Sequence, residues 1–145
     1  MADIREAILA RLVEVVATVP NIQSVQRNNV DWHADRMPAA AVLDGDEEVT
    51  RGNDGTRPSN RPLLVEMTPE IQIMEEAGTI GSDLTTFRRE LMQLVLADAT
   101  LNALTGSNGK ISYLGCETQF GWMEKQYGNL QMRFSFKYPL QFNDL

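Results

Sequence analysis

Apolar and polar positions alternate along this chain with two different periods, and the switches between them mark out its elements. Residues 3–18 place Ile4, Ile8, Leu12, Val15, Val16 and Val19 at three- and four-residue spacing, with Arg5, Arg11 and Glu14 opposite, which predicts a helix lying on something. Asp3 caps its start, Glu6 follows three residues later in the manner of a capping box, and Pro20-Asn21 ends it. Residues 22–28 read as a strand. Residues 29–37 are polar and irregular until Pro38 leads into the short run 39–43, Ala-Ala-Ala-Val-Leu. That run suits a strand better than a helical turn, being bounded by turn punctuation at too short a separation for a stable helix, and its small side chains invite close approach by a helix.

Between residues 44 and 62 apolar side chains almost vanish, replaced by five acids, three arginines, three glycines and two prolines. A polar loop this long is uncommon in a compact domain and tends to be a binding element or arm. Asn53-Asp54-Gly55 at its centre offers the alternative of a hairpin tip on a protruding ribbon. Strand character returns over 63–74, where Pro69 implies an edge position or a bulge. Ser82 and Asp83 then open a second helix running to Ala97. Its buried stripe is expected to comprise Leu84, Phe87, Leu91, Leu94 and Val95, with Arg88, Arg89 and Glu90 outward. Residues 98–104 form a short turn or helix, and 105–109 a loop.

Eight of the ten aromatic residues follow position 110. Leu130, Met132, Phe134, Phe136 and Tyr138 alternate with Gln131, Arg133, Ser135 and Lys137, the period of a strand with one core face and one wet face. Residues 110–120 can pair with it through a turn in 121–128. The pattern predicts one α+β domain over residues 1–145: a mostly antiparallel sheet of four or five strands with two amphipathic helices on one face and a long polar loop or arm at 44–62.

Composition narrows the function classes. The chain has 145 residues, 43% hydrophobic and 23% charged, as in ordinary globular domains, and a formal charge of -7. With a pI near 4.7 it has no net positive field to grip nucleic acid. No apolar run is long enough for a membrane helix, and the start MADIREAILARL lacks the basic region of a secretory signal, so the expectation is a protein made and kept inside a cell, with no membrane partner. A single cysteine, Cys116, agrees with that and reads as a small, partly buried hydrophobe.

Candidate chemistry is sparse. In Asp31-Trp32-His33-Ala34-Asp35, His33 stands between the carboxylates Asp31 and Asp35; a small enzyme built on this trio is the rival reading, and a solvated loop the plainer one. Asp44-Gly45-Asp46-Glu47-Glu48 lacks the ligand spacing of an EF-hand. Glu75 and Glu76 read as a polar strand end, unburied and so unsuited to catalysis. Residues 78–82, Gly-Thr-Ile-Gly-Ser, precede a helix but have no P-loop lysine, and no G-x-S-x-G or H-E-x-x-H occurs. No catalytic, metal or cofactor residues are assigned, and no cofactor is expected.

The layout resembles the tail terminator, or tail completion, proteins of long-tailed bacteriophages, also grouped as minor tail or neck proteins. The resemblance spans most of the chain. It runs from the first helix through Pro38-Ala39-Ala40-Ala41-Val42-Leu43-Asp44-Gly45, then the second helix, the handover at Asp98-Ala99-Thr100-Leu101, and the last strand from Leu130 to Tyr138. It is one of order, spacing and size, and stopper and connector proteins of the same neck share much of the outline. The resemblance implies a virion protein that forms a ring, typically of six copies, on the tail tube. Such a ring ends tube growth and joins the tube to the head connector, while DNA passes through without specific binding. Its partners would be further copies of itself, the tube protein and the connector or stopper. On that reading the 44–62 segment is the candidate contact with a neighbour or the tube, through Asp46, Glu47, Glu48, Arg51, Asp54, Arg57 and Arg61, joined by Trp122.

Overall fold

The computed structural model describes residues 3–30, 37–51, 63–76, 80–106, 109–122 and 126–140. In chain order the elements are α1 (Ile4–Ala17), β1 (Ser24–Arg27), β2 (Ala39–Leu43), β3 (Glu47–Arg51), β4 (Leu63–Met67), β5 (Glu70–Glu76), α2 (Ile80–Ala97), α3 (Ala99–Thr105), β6 (Lys110–Trp122) and β7 (Gln126–Leu140). Among the described residues, three helices and one seven-stranded sheet, antiparallel except where β1 meets β2, make an α+β fold.

The seven strands lie in five rows. Met67 faces Phe136 and Glu70 faces Arg133, so β4 and β5 run along β7 in one unbroken register. The break between them is chemical rather than topological. Phe134 donates its backbone N–H to the Pro69 carbonyl at 3.2 Å, and the proline has no N–H to return. Pro69 is therefore in an interior row, not at an edge, and the bulge lies in the neighbouring row instead. There Leu43 faces Glu70 while Glu47 faces Met67, so β2 and β3 carry one more residue than the strand they face. Gly45 absorbs it with φ of 73°, and the Thr68 N–H donates to the Asp46 carbonyl at 3.0 Å, holding the two rows together across the break.

The flanks of the 44–62 segment thus form a ribbon: β3 pairs with β4, the hairpin alternative rather than an unbroken loop. On the other side, β6 and β7 make a long hairpin with a bulge at Leu114 and Gly115, leaving β6 as an outer row.

One sheet face meets the helices. Leu130, Met132, Phe134, Phe136 and Tyr138 are all buried, as their alternation predicts, and join Val65, Met67, Ile71 and Ile73 in a single core. The helices contribute Ile8, Leu9, Leu12, Val15 and Val16 from α1, Leu84, Phe87, Leu91 and Val95 from α2, and Leu101 from α3. Leu94 departs from expectation: it is 37% exposed, because the buried stripe of α2 turns through residues 84, 87, 91 and 95 and leaves it on the flank. α2 also begins at Ile80, so Ser82 lies inside the helix rather than capping it.

Side-chain bonds pin the helices to the sheet. Asp3 caps α1 through the Arg5 N–H at 2.9 Å. Arg27 at the end of β1 reaches Glu6 on α1, at 2.6 and 2.8 Å, and Asp44 beyond β2, at 3.0 and 3.2 Å. Its guanidinium holds both carboxyls below the usual carboxylate range.

Candidate functional surfaces and an acidic cavity

On the sheet face away from the described helices, the strand register places the polar side chains in rows. Glu48, Glu66, Lys137 and Lys110 stand side by side across four rows. Glu70 faces Arg133, and Gln72, Gln131 and Glu117 line up next to them. Neighbours on this face bond to one another: Ser135 Oγ donates to Glu66 Oε2 at 2.7 Å, Gln72 to Glu70 at 3.0 Å and Gln131 to Asn129 at 3.0 Å. Arg133 and Glu117 lie 3.5 Å apart, and Lys137 and Glu66 3.9 Å. Such exposed pairs contribute little stability each, but they fix an arrangement of acidic and basic positions that another surface can match.

Asp46, Glu47 and Glu48 are exposed along an edge of this sheet, on β3 and the residue before it. Glu47 has a structural tie as well, since it accepts a hydrogen bond from the Tyr138 hydroxyl. Burial pushes that phenol well above its ordinary range, with the Glu47 carboxylate adding to the effect. Glu48 faces Glu66, two like charges directly opposite, an arrangement that costs stability and is relieved in part by Lys137. Arg51 ends β3 and Trp122 ends β6, at opposite sides of the sheet, so the backbone does not bring them together. Asp54, Arg57 and Arg61 lie outside the described residues, as do Asp31, Trp32, His33 and Asp35. Among the described residues, no three His, Cys, Asp or Glu side chains are grouped to hold a metal ion. No helix among them is long and apolar enough to cross a membrane. Cys116 is half-buried against the core.

Glu75 corrects the sequence reading. It is only 7% exposed, and its partner is Asp83 on α2 rather than Glu76. The signal was present: Ile71, Ile73 and Glu75 share one period-two face, which places Glu75 on the core side at the end of β5. Burial, and then the hydrogen bond with Asp83, push the Glu75 carboxyl up to about 7. Both residues line a cavity of about 350 Å³ together with Phe87 and Glu90 of α2. Glu90 and Arg88 are half-buried rather than outward, and Arg88 donates to the Met92 sulfur at 3.5 Å.

No protein-family model and no curated protein matches this chain. Among solved structures, the chain is similar to one described as "Virion of native gene transfer agent (GTA) particle", with a TM-score of 0.48 and 12% identity, over 93% of this chain and 91% of that one.

Proposed function

We propose that this protein is a structural component of a phage-type virion that works through its surfaces rather than through catalysis. In this reading it forms a ring, of six copies by resemblance, that caps the tail tube, ends tube growth and joins the tube to the head connector. The observation that carries the reading is the sheet face away from the described helices, where charged side chains of both signs stand in register across the rows and Glu48 extends them onto the edge strand β3. A closed ring needs one surface patch to meet a different patch on the next copy, and a face of acidic and basic positions with an acidic edge supplies sign complementarity for that contact. The resemblance in element order supports the choice of terminator. The formal charge of -7 suits a conduit, because like charge keeps the wall from gripping the phosphate backbone.

Asp46 and Glu48 are the described contact residues of choice for the neighbour or the tube, since Glu47 is also bonded to Tyr138. The test combines light scattering, negative-stain images and a tube-capping assay on the wild type and on Asp46→Lys with Glu48→Lys. Rings that cap tubes, and a folded double variant that does not cap them, are the expected results. A wild type that binds a portal complex but not tube protein would instead make it a stopper. A double variant that caps normally would remove β3 from the interface.

A further inference from the structure

The two edges of the sheet are finished differently. At one edge, β1 and β3 are four and five residues long and carry Arg27, Glu47 and Glu48, short charged strands of the kind that discourage further pairing. At the other, β6 runs for thirteen residues with no proline, one acid and one lysine, and among the described residues it pairs with β7 alone. Leu114 and Phe120 project from it, 51% and 56% exposed. The bulge at Leu114 and Gly115 interrupts its first half, but from Gly115 to Trp122 it follows β7 residue for residue. Such an edge offers a row of N–H and C=O groups that another extended chain can match one for one.

The chain's own connections do not reach along this stretch, which is about 27 Å long. Links 77–79 and 123–125 have three residues each, about 10 Å of extended chain. Residues 52–62 and 141–145 are tied at Leu63 and Leu140, which face each other seven positions along β7 from Arg133, the partner of Gly115. Seven positions of strand are about 23 Å, whereas five residues, or eleven tied at both ends, reach less than about 20 Å. Residues 31–36 are tied to the β1 and β2 side, with β5 and β7 between.

The strand is complementary to itself. Two antiparallel copies related by a two-fold axis normal to the sheet set residues of one face opposite each other, so the axis must pass through a residue position. Centred on Glu117, the register would oppose two like charges. Centred on Thr118, it sets Glu117 opposite Gln119 of the second copy, an acceptor against an amide donor, and pairs residues 115–121 throughout. It also sets Phe120 of the second copy opposite Cys116. Cys116, Thr118 and Phe120 lie opposite Met132, Leu130 and Gly128, on the core side of the sheet, beside a groove of about 230 Å³ between β6 and α2 that Leu84 and Arg88 also line. A second copy's Phe120 covers that groove, and the two-fold repeats the contact, taking both exposed rings out of water.

We propose that β6 is a self-association edge, on which two copies of this chain join their sheets into one by antiparallel pairing of residues 115–121 about Thr118. The contact is isologous, distinct from the head-to-tail contact of a ring, and does not rest on the ring reading. Light scattering over a concentration series, with cross-linking by mild oxidation, tests it. In a Cys116→Ser background, Thr118→Cys places two thiols opposite each other and should give a disulfide-linked dimer. The wild type, whose two Cys116 thiols are four positions out of register, should not cross-link. Phe120→Asp should weaken association about tenfold or more. Gln119→Lys should strengthen it and Gln119→Glu weaken it, each by about threefold or more, since the new charge meets Glu117 of the other copy twice per pair. Positions 119 and 120 are exposed in the single chain, so circular dichroism should find both folds unchanged. A monomer mass at the highest soluble concentration would leave the edge to a strand of another protein and overturn the proposal. So would a Thr118→Cys variant that does not cross-link, or Gln119 variants of opposite charge that move association alike. Rings without that cross-link would overturn it and leave the ring reading standing; a cross-linked dimer that never forms rings would do the reverse.

Discussion

Arg11 on α1 holds Asp98, the residue that caps α3, through two hydrogen bonds, Nη2 to Oδ1 at 2.7 Å and Nε to Oδ2 at 3.0 Å. The same carboxylate accepts the Leu101 N–H at 2.9 Å, so one side chain both starts α3 and ties it to α1. The guanidinium holds the Asp98 carboxyl below its ordinary range. Asp98→Ala removes both functions and should cost about 1–3 kcal/mol in urea denaturation. Asp98→Asn keeps an acceptor for the cap and should cost clearly less; equal losses would mean that the cap carries none of the effect.

Gly45 and Gly106 have nearly the same backbone angle, φ of 73° and 76°, but different surroundings. A Cβ on Gly45 would run into the Thr68 carbonyl, whereas on Gly106 it would meet nothing within 4 Å. Gly106→Ala should therefore cost about 1–3 kcal/mol, the backbone strain of a positive φ at ψ of 179° alone. Gly45→Ala adds a backbone collision at the junction of two sheet rows and should cost about 3 kcal/mol or more. Thermal melts of the two variants check the difference, and equal shifts would show that the bulge can open without loss.

Phe134 sits at the centre of the longest strand, fully buried, with its ring centroid 5.5 Å from that of Tyr113. Phe134→Ala should cost about 3–5 kcal/mol through lost burial and the cavity left behind. Phe134→Asp should abolish the cooperative melt, since it places an unpaired charge in the core. Retention of the wild-type melting temperature by the aspartate variant would mean that the faces of β7 are inverted.

Glu75 gives stability a pH dependence opposite in sign to that of the paired acids. Its folded pKa, about 7, lies above the unfolded value, so its contribution is complete below the unfolded pKa and is lost as pH rises through 7. Glu6, Asp44 and Asp98 are held low by their arginines, so theirs is present above the unfolded pKa and lost as pH falls. Stability should peak on the acid side of neutrality and decline by up to about 3 kcal/mol toward pH 8 or so, at about 1.4 kcal/mol per unit. Urea midpoints across that range measure the decline. Glu75→Gln should flatten it, and an unchanged slope would assign the titration to another group.

What the sequence determined by itself was whatever depends on local periodicity. The alternation from Leu130 to Tyr138 fixes which side of β7 is core, because successive side chains on a strand must point to opposite faces. The stripe from Ile8 to Val16 does the same for α1, and the α+β order follows from both. Tertiary structure alone decided matters that join distant segments. Pro69 reads locally as a strand breaker, but β7 supplies one template long enough to hold β4 and β5 in a single register across it. The bulge that was expected there is displaced to Gly45 on the adjoining row. Glu75 reads as half of a polar pair with Glu76, yet the strand sends neighbours to opposite faces, and the packing of α2 brings Asp83 to it instead. A carboxyl's ionisation depends on its burial and its partners in space, and those partners are chosen by how helices lie on the sheet rather than by any spacing along the chain.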